Sequence, residues 1–253
     1  KIGIAYGVLA WYQFDVGNYT GAYAIWDDAL KHAYRTGDEW NLAMQLVNLG
    51  AMVGRLGELE RAQALVEEAS ALHRRIGQKW GVGKTLRELG AIYLAQGKLP
   101  QAKQVLQEGE TLCQMLPSKG SLAGIQYELA GVALAAGDYT AATRLLRESL
   151  AVSIDEGYER LALFVLNRWI ALAVSTARCI AGLTLAGAFA TQSRCLNMRL
   201  SPPERAAQAA TIAQARHHLP AEVADAAWNQ GMAMNLDESV AFALQQTNAV
   251  SVV

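Results

Sequence analysis

Charge imbalance is the first thing this sequence lacks. Its 253 residues carry 22 Lys and Arg against 23 Asp and Glu, a formal net charge of −1. The basic excess of a typical nucleic-acid-binding domain is missing. Cysteine is scarce as well. Cys113, Cys179 and Cys195 are odd in number and share no C-x-x-C spacing, which excludes a disulfide framework and a zinc ribbon. They read as buried, reduced thiols in a cytoplasmic chain. Long apolar runs are absent too. Two of the longest uncharged stretches, 179–193 and 239–253, contain Gln, Ser or Thr and hold 15 residues each, and no uncharged stretch is longer. A membrane span needs roughly 20 apolar residues. No signal peptide opens the chain. It starts at Lys1 with apolar Ile2, Ile4 and Tyr6, which reads as a cut through a larger polypeptide.

Catalytic and metal-binding patterns are also missing. His32, His73, His217 and His218 show no H-x-x-x-H or H-E-x-x-H spacing, so no metal site is expected. The adjacent His217 and His218 are expected to point to different sides of a helix end. No G-x-S-x-G run occurs. The acid pairs Asp27-Asp28 and Glu67-Glu68 read as solvated helix faces. Gly81-Val82-Gly83-Lys84-Thr85 imitates the end of a phosphate-binding loop. However, the first glycine of that motif would fall at Gln78, and a phosphate loop follows a strand. The preceding segment here has helical periodicity. No cofactor and no enzyme activity are expected.

What is present is 52% apolar residues with only 18% charged. That excludes a disordered chain and supplies a large core. The apolar residues are arranged in a repeat. Gly17, Gly57, Gly97 and Gly137 stand 40 apart. The same phase holds Ala22, Ala62, Ala102 and Ala142, and a bulky column of Trp26, Val66, Leu106 and Leu146. Leu9, Leu49, Leu89 and Leu129 are each followed by a small residue: Ala10, Gly50, Gly90 and Ala130. Gly37, Gly77 and Gly157 form a second glycine column, with Pro117 in the remaining place. Trp40 and Trp80 also match. Self-similarity at a fixed period of this length marks a stack of identical supersecondary units.

Each unit reads as two helices. Residues 41–55 and 59–76 both repeat apolar positions with the helical period. Gly57 breaks the chain between them, and Gly77 stands where helix C-termini favour glycine. No strand-like alternation occurs. Gly50 and Ala62 let antiparallel helices approach, while Leu49 and Val66 fill the gaps between units. No single unit can bury its own face, so neighbours must stack.

The columns resemble the tetratricopeptide repeat, in an extended form with a 40-residue period. Leu49-Gly50, Gly57, Ala62 and Ala69 carry the likeness, as do Leu89-Gly90, Tyr93, Gly97 and Ala102. The resemblance implies an all-α helical-hairpin solenoid, a right-handed superhelix of about five pairs. The expected pairs are 1–36, 37–76, 77–116, 117–156 and 157–196. The fifth is blurred: Ala177 replaces the turn glycine, and Trp169-Ile170-Ala171 smears the Leu-small pair.

Residues 197–253 depart from the pattern and read as capping helices. Ser201-Pro202-Pro203-Glu204 starts one, and Asn235-Leu236-Asp237-Glu238 is a capping box for the last. The runs Pro202 to Arg205, Ala226-Ala227-Trp228, Gly231-Met232-Ala233-Met234 and Leu236 to Ala241 are similar to the C-terminus of bacterial STAND-type signal-transduction ATPases. These are regulators of the LuxR-like or AfsR-like sort. This likeness implies a non-enzymatic sensor and interaction domain whose ATPase lies upstream.

In tetratricopeptide arrays the first helix of each pair lines a concave groove that binds partners. Counted from the Leu-small pair, the groove positions hold Trp11, Asn48, Lys84, Arg87, Glu88, Tyr127, Glu128, Asn167 and Arg168. Lys84 and Arg87 share a helix face. With Asn48 one unit away they suit a carboxylate or phosphate. Asn48 and Lys84 match two positions of the carboxylate clamp of chaperone-binding arrays. Glu88, Gly7 and Trp11 depart from it, so chaperone tails are not expected. The expected partner is a protein, a peptide or a small molecule, with neither nucleic acid nor membrane. Self-association without a free ligand is the rival.

Overall fold

The structure, a computed structural model, describes residues 2–116 and 118–246; Pro117 of the second turn column lies outside them. Thirteen α-helices and no strand occur among the described residues. Eight form four antiparallel pairs: α1 (Ile2–Asp15) with α2 (Tyr19–Thr36), α3 (Glu39–Arg55) with α4 (Leu59–Arg75), α5 (Lys79–Ala95) with α6 (Leu99–Gln114), and α9 (Glu159–Ser175) with α10 (Cys179–Cys195); α7 (Lys119–Ala135) and α8 (Tyr139–Asp155) stand between the last two pairs in chain order, joined by the turn at Gly137. Three more follow: α11 (Pro202–His217), α12 (Ala221–Met232) and α13 (Leu236–Gln245). The fold is an all-α helical-hairpin repeat.

The turns explain the glycine columns. Gly17, Gly57, Gly97 and Gly137 all have φ between 73° and 95°, a region that costs nothing only for glycine. Each helix then ends on a bond from the residue after the turn glycine to the carbonyl five back. Asn18 donates to Gln13 at 2.8 Å and Lys98 to Tyr93 at 2.8 Å, the pattern that satisfies the last carbonyls. The next helix starts on a cap: Asp38 accepts the Asn41 N–H at 3.0 Å. That cap places the start of α3 at Glu39, two residues before the periodicity predicts.

The blurred fifth pair forms the same turns without glycine. Ala177 takes φ 57°, and Arg178 donates to the Ala173 carbonyl at 2.8 Å. Asn197, 40 residues after Gly157, takes φ 46°, and Asn tolerates this region better than most residues. Left-handed alanine costs about 1–2 kcal/mol. Ala177→Gly is therefore expected to stabilise the chain by about 0.5–1 kcal/mol, the remainder being lost to glycine's unfolded-state freedom. A rise in urea midpoint at unchanged m-value would show it; a fall would mean that the loop is held by something other than its turn.

Contacts divide the chain into two compact units, Lys1–Glu128 with Arg199–Pro203, and Leu129–Met198 with Glu204–Val253. In the first unit the hairpins α1–α2, α3–α4 and α5–α6 stack successively, and their first helices α1, α3 and α5 lie side by side. Ala22, Trp26, Ala62, Val66, Ala102 and Leu106 are all completely buried. The small column meets the bulky one directly. A Cβ on Gly50 would stand 2.6 Å from Val66, and one on Gly90 2.4 Å from Leu106. These glycines hold antiparallel helices at close range.

In the second unit α9–α10 is buried by the cap helices. Val174, Cys179 and Leu183 form a core with Ala215, Ala224 and Ala227. α12 crosses α10 backbone to backbone: a Cβ on Gly231 would stand 1.8 Å from the Thr184 carbonyl oxygen, and one on Gly187 2.2 Å from that of Trp228. α13 starts on the expected reciprocal cap. Asn235 Oδ1 accepts the Glu238 N–H at 2.9 Å, and Glu238 Oε2 accepts the Asn235 N–H at 2.8 Å.

Candidate functional site

The first helices of the first unit carry polar side chains inward. Asn41, Gln45 and Asn48 on α3, Thr85 and Glu88 on α5, and Gln126 on α7 are all buried. Asn48 and Lys84 are 36 residues apart, one repeat less one helical turn, and this register brings them together. Lys84 Nζ donates to Asn48 Oδ1 at 2.6 Å. The same ammonium lies 5.9 Å from the centre of the Trp80 ring, within cation–π range. Among the described residues no carboxylate bonds it. Burial pushes Lys84 down to about 8, Arg87 adding to that and Glu88 opposing it.

Arg87 and Glu88 pair with each other. Adjacent helical residues do not normally face one another, but Arg87 Nε reaches Glu88 Oε1 at 3.1 Å and Nη2 bonds the same oxygen. The guanidinium has room because a Cβ on Gly124 of α7 would stand only 2.9 Å from Nη1. Glu88 holds Arg87 above its ordinary value, against the cost of burial. Burial works to raise the Glu88 carboxyl, yet Arg87, then Arg55, and Lys84 together hold it below the usual range. Arg87 also feels the field of Glu128. Three cations thus face two carboxylates.

The other groove positions serve differently. Trp11 packs edge-on against Trp26 at 5.0 Å and Phe14 at 5.5 Å, and the Arg55 guanidinium covers its ring at 5.5 Å. It closes the end of the core while keeping one half-buried edge. Tyr127 and Glu128 are half-buried on α7. In the second unit Asn167 and Arg168 are half-buried on α9. Asn167 Oδ1 accepts the Gln208 side-chain amide of α11 at 2.6 Å, so the chain's own cap holds it. Nothing in the sequence pattern foretold that bond, which joins residues from different kinds of segment.

The phosphate-loop look-alike has a packing explanation. Gly81 and Gly83 lie inside α5. A Cβ on Gly81 would stand 2.2 Å from His73 Nδ1, and one on Gly83 3.0 Å from Cys113 Sγ. The glycines make room for a histidine of α4 and a cysteine of α6. His73 is fully buried with neither ring nitrogen bonded, and burial holds its imidazole below its ordinary value. It borders an open depression of about 700 Å³ flanked by Lys79, Val82, Leu112 and Met115.

The thiols and histidines differ from the sequence expectation in two places. Cys113 and Cys179 are buried, but Cys195 is exposed at the end of α10. The His217 and His218 rings stand 5.5 Å apart, edge to face, and do not point apart. Among the described residues no group of three or more His, Cys, Asp and Glu side chains is placed to hold a metal. No described helix is long and apolar enough to cross a membrane.

The site and fold define a helical-hairpin repeat protein with a polar, net-cationic inner face in its first unit. Residues 41–115 match the model of the tetratricopeptide repeat. They span α3 to α6, and this stretch is similar to that repeat family. Repeats of this type generally act as protein-interaction modules and are typically non-catalytic. No curated protein matches the chain.

Proposed function

We propose that this chain is the non-enzymatic sensor or interaction domain of a larger bacterial cytoplasmic signalling regulator of the STAND type. It takes an anionic group of a peptide or protein partner, or of a small ligand, on the inner face of its first unit. The observation that supports this most is Lys84. An ammonium withdrawn from water by α3 and α5 has, among the described residues, a neutral amide oxygen as its one hydrogen-bond partner. A carboxylate is a stronger partner than an amide for such a group. Arg87 and Arg55 add positive field, and Trp80 offers an apolar face beside it. The resemblance of residues 202–241 to STAND-type C-termini supports the larger context.

Titration with a hexaglutamate peptide tests the site. Lys84→Ala is expected to weaken binding by about tenfold or more. Unchanged binding in Lys84→Ala and Arg87→Ala would sink the assignment. The protonation of Lys84 gives a pH signature. Affinity is expected to fall as pH rises through about 8, because the ammonium is lost there. Lys84→Arg, which stays charged, removes that fall. Folding stability moves the other way. Between about 8 and the ordinary lysine value the unfolded chain binds more protons, so this group's contribution rises with pH in that window.

A second reading has its own support. Gln208 occupies Asn167, and Arg199–Pro203 packs with the first unit, where Arg199 lies 3.4 Å from the Cβ position of Gly17. On this reading the repeats receive the chain's own C-terminal segment and serve intramolecular assembly. Sedimentation velocity across a concentration series separates this from self-association: a mass-invariant monomer fits the intramolecular form, and a rising sedimentation coefficient fits the other.

A further inference from the structure

Arg178 is an unusual cation for a protein interior. It sits in the turn before α10, and its three donor nitrogens are unequally served. Nε donates to Thr176 Oγ1 at 3.0 Å, and Nη1 donates to the backbone carbonyl of Gln246 at the end of α13. Nη2 is buried and bonds no described residue. Among the described residues no carboxylate pairs with this guanidinium. A half-buried guanidinium without a counter-charge costs free energy that an anion would return.

The surroundings are built like a receptor for one. Arg178 borders a cavity of about 800 Å³ within the second unit, and among the described residues no Asp or Glu lines it. The walls include apolar Ile180, Leu219 and Phe242 beside polar Thr184, Gln214 and His218. Cys179, Ile180 and Ala181 of the first turn of α10 also line the cavity, and that helix start has no side-chain cap, so its positive end is close by. The turn itself holds Ala177 at φ 57°. Strained backbone of this kind persists where surrounding structure fixes it, and it clusters at ligand sites.

We propose that this cavity binds a small carboxylic acid as its carboxylate, with Arg178 holding the head and Ile180, Leu219 and Phe242 enclosing the apolar body. A carboxylate offers two oxygens and a full charge where Gln246 offers one neutral carbonyl. It takes Nη1 and Nη2 together, the two-pronged geometry that guanidinium and carboxylate share. One fixed cation, described walls free of acid and the apolar side formed by Ile180, Leu219 and Phe242 select a monoanion with a hydrocarbon or aromatic body. The site lies in the second unit and is independent of the Lys84 site in the first. Burial alone depresses the Arg178 guanidinium's affinity for its proton, with no acid opposing it, which agrees with an unfilled counter-charge.

Isothermal titration of the 253-residue chain with octanoate tests this, with octanamide as the neutral control. Octanoate is expected to bind saturably at one site per chain, and octanamide at least about tenfold more weakly. Arg178→Gln is expected to weaken octanoate by a similar factor. Arg178 also ties down the last turn of α13, so that variant is checked by its melting curve. Ile180→Trp fills the cavity from its exposed rim and leaves Arg178 in place; it is expected to melt like the parent and to lose octanoate. Absence of saturable octanoate binding, equal affinity for octanamide, or octanoate binding unaltered by Ile180→Trp would overturn the proposal.

Discussion

Gly231→Ala is expected to detach α12 from α10 and to destabilise the second unit by about 3 kcal/mol, the upper range for overpacking. The new Cβ would stand 1.8 Å from the Thr184 carbonyl oxygen, 2.7 Å from its carbon and 2.9 Å from the Ala188 nitrogen. All three are backbone atoms of α10, so no side chain can rotate away. The helices must separate, and Ala224 and Ala227 on α12 then lose their burial against Val174 and Leu183. Gly157→Ala is the control. That residue is a turn glycine at φ 70° with open space around its Cβ position, so it costs only the left-handed penalty of about 1–2 kcal/mol. Urea unfolding compares the two, and limited proteolysis reads the release of α12 and α13. Equal midpoints for the two variants would mean that the α10–α12 crossing is not the close contact described.

Trp26→Ala is expected to cost about 3–5 kcal/mol, the range for removing a buried aromatic side chain. Trp26 is completely buried at the end of the first unit's core, edge-on to Trp11. It stands in the bulky column whose other members are Val66, Leu106 and Leu146. Its Nε1–H is buried without a partner, so part of the indole's packing gain is offset by an unmet donor. Trp26→Leu restores the column's usual size and removes that donor. It is expected to cost clearly less than the alanine change. Thermal melts of the two variants, followed by near-ultraviolet circular dichroism, check the order. A leucine variant as weak as the alanine one would show that the column does not tolerate its consensus residue beside Trp11.

Much of the fold was legible in the sequence because repetition amplifies a weak signal. A single Gly at 57 could mark many turns. Four at one spacing, each beside an alanine that proves to be completely buried, mark one turn made four times. That Asn48 and Lys84 lie near each other was legible for the same reason, since the repeat period and the helical period together fix which side chains meet; that they bond each other was not. For Trp11 the column position says which way it points, and the large neighbour Trp26 adds that it also closes a core. Glu88 read as a groove position, and the pattern says nothing of its burial. It is buried because Arg87 turns back to it through the space left by Gly124, an arrangement three residues in two repeats make together.

The blurred pair shows the limit most clearly. At 177 the sequence has alanine where the columns ask for glycine, yet α9 and α10 form with 17 residues each, like α3 and α4. Packing of Trp169, Ile170 and Leu183, each fully or almost fully buried, supplies more than the left-handed alanine costs. Local preference sets a turn only where tertiary burial does not outweigh it.

The sequence by itself determined the all-α hairpin repeat, its period, its turn positions and which helix faces are buried. These follow from interactions that recur at fixed short separations. Only the tertiary structure decided that Gly187 and Gly231 bring α10 and α12 into backbone contact, that Gln208 takes Asn167, and that Arg178 bonds Gln246 beside an acid-free cavity. Those contacts join the repeats to a segment that does not repeat, so no register links them, and they exist only once the chain has folded around its core.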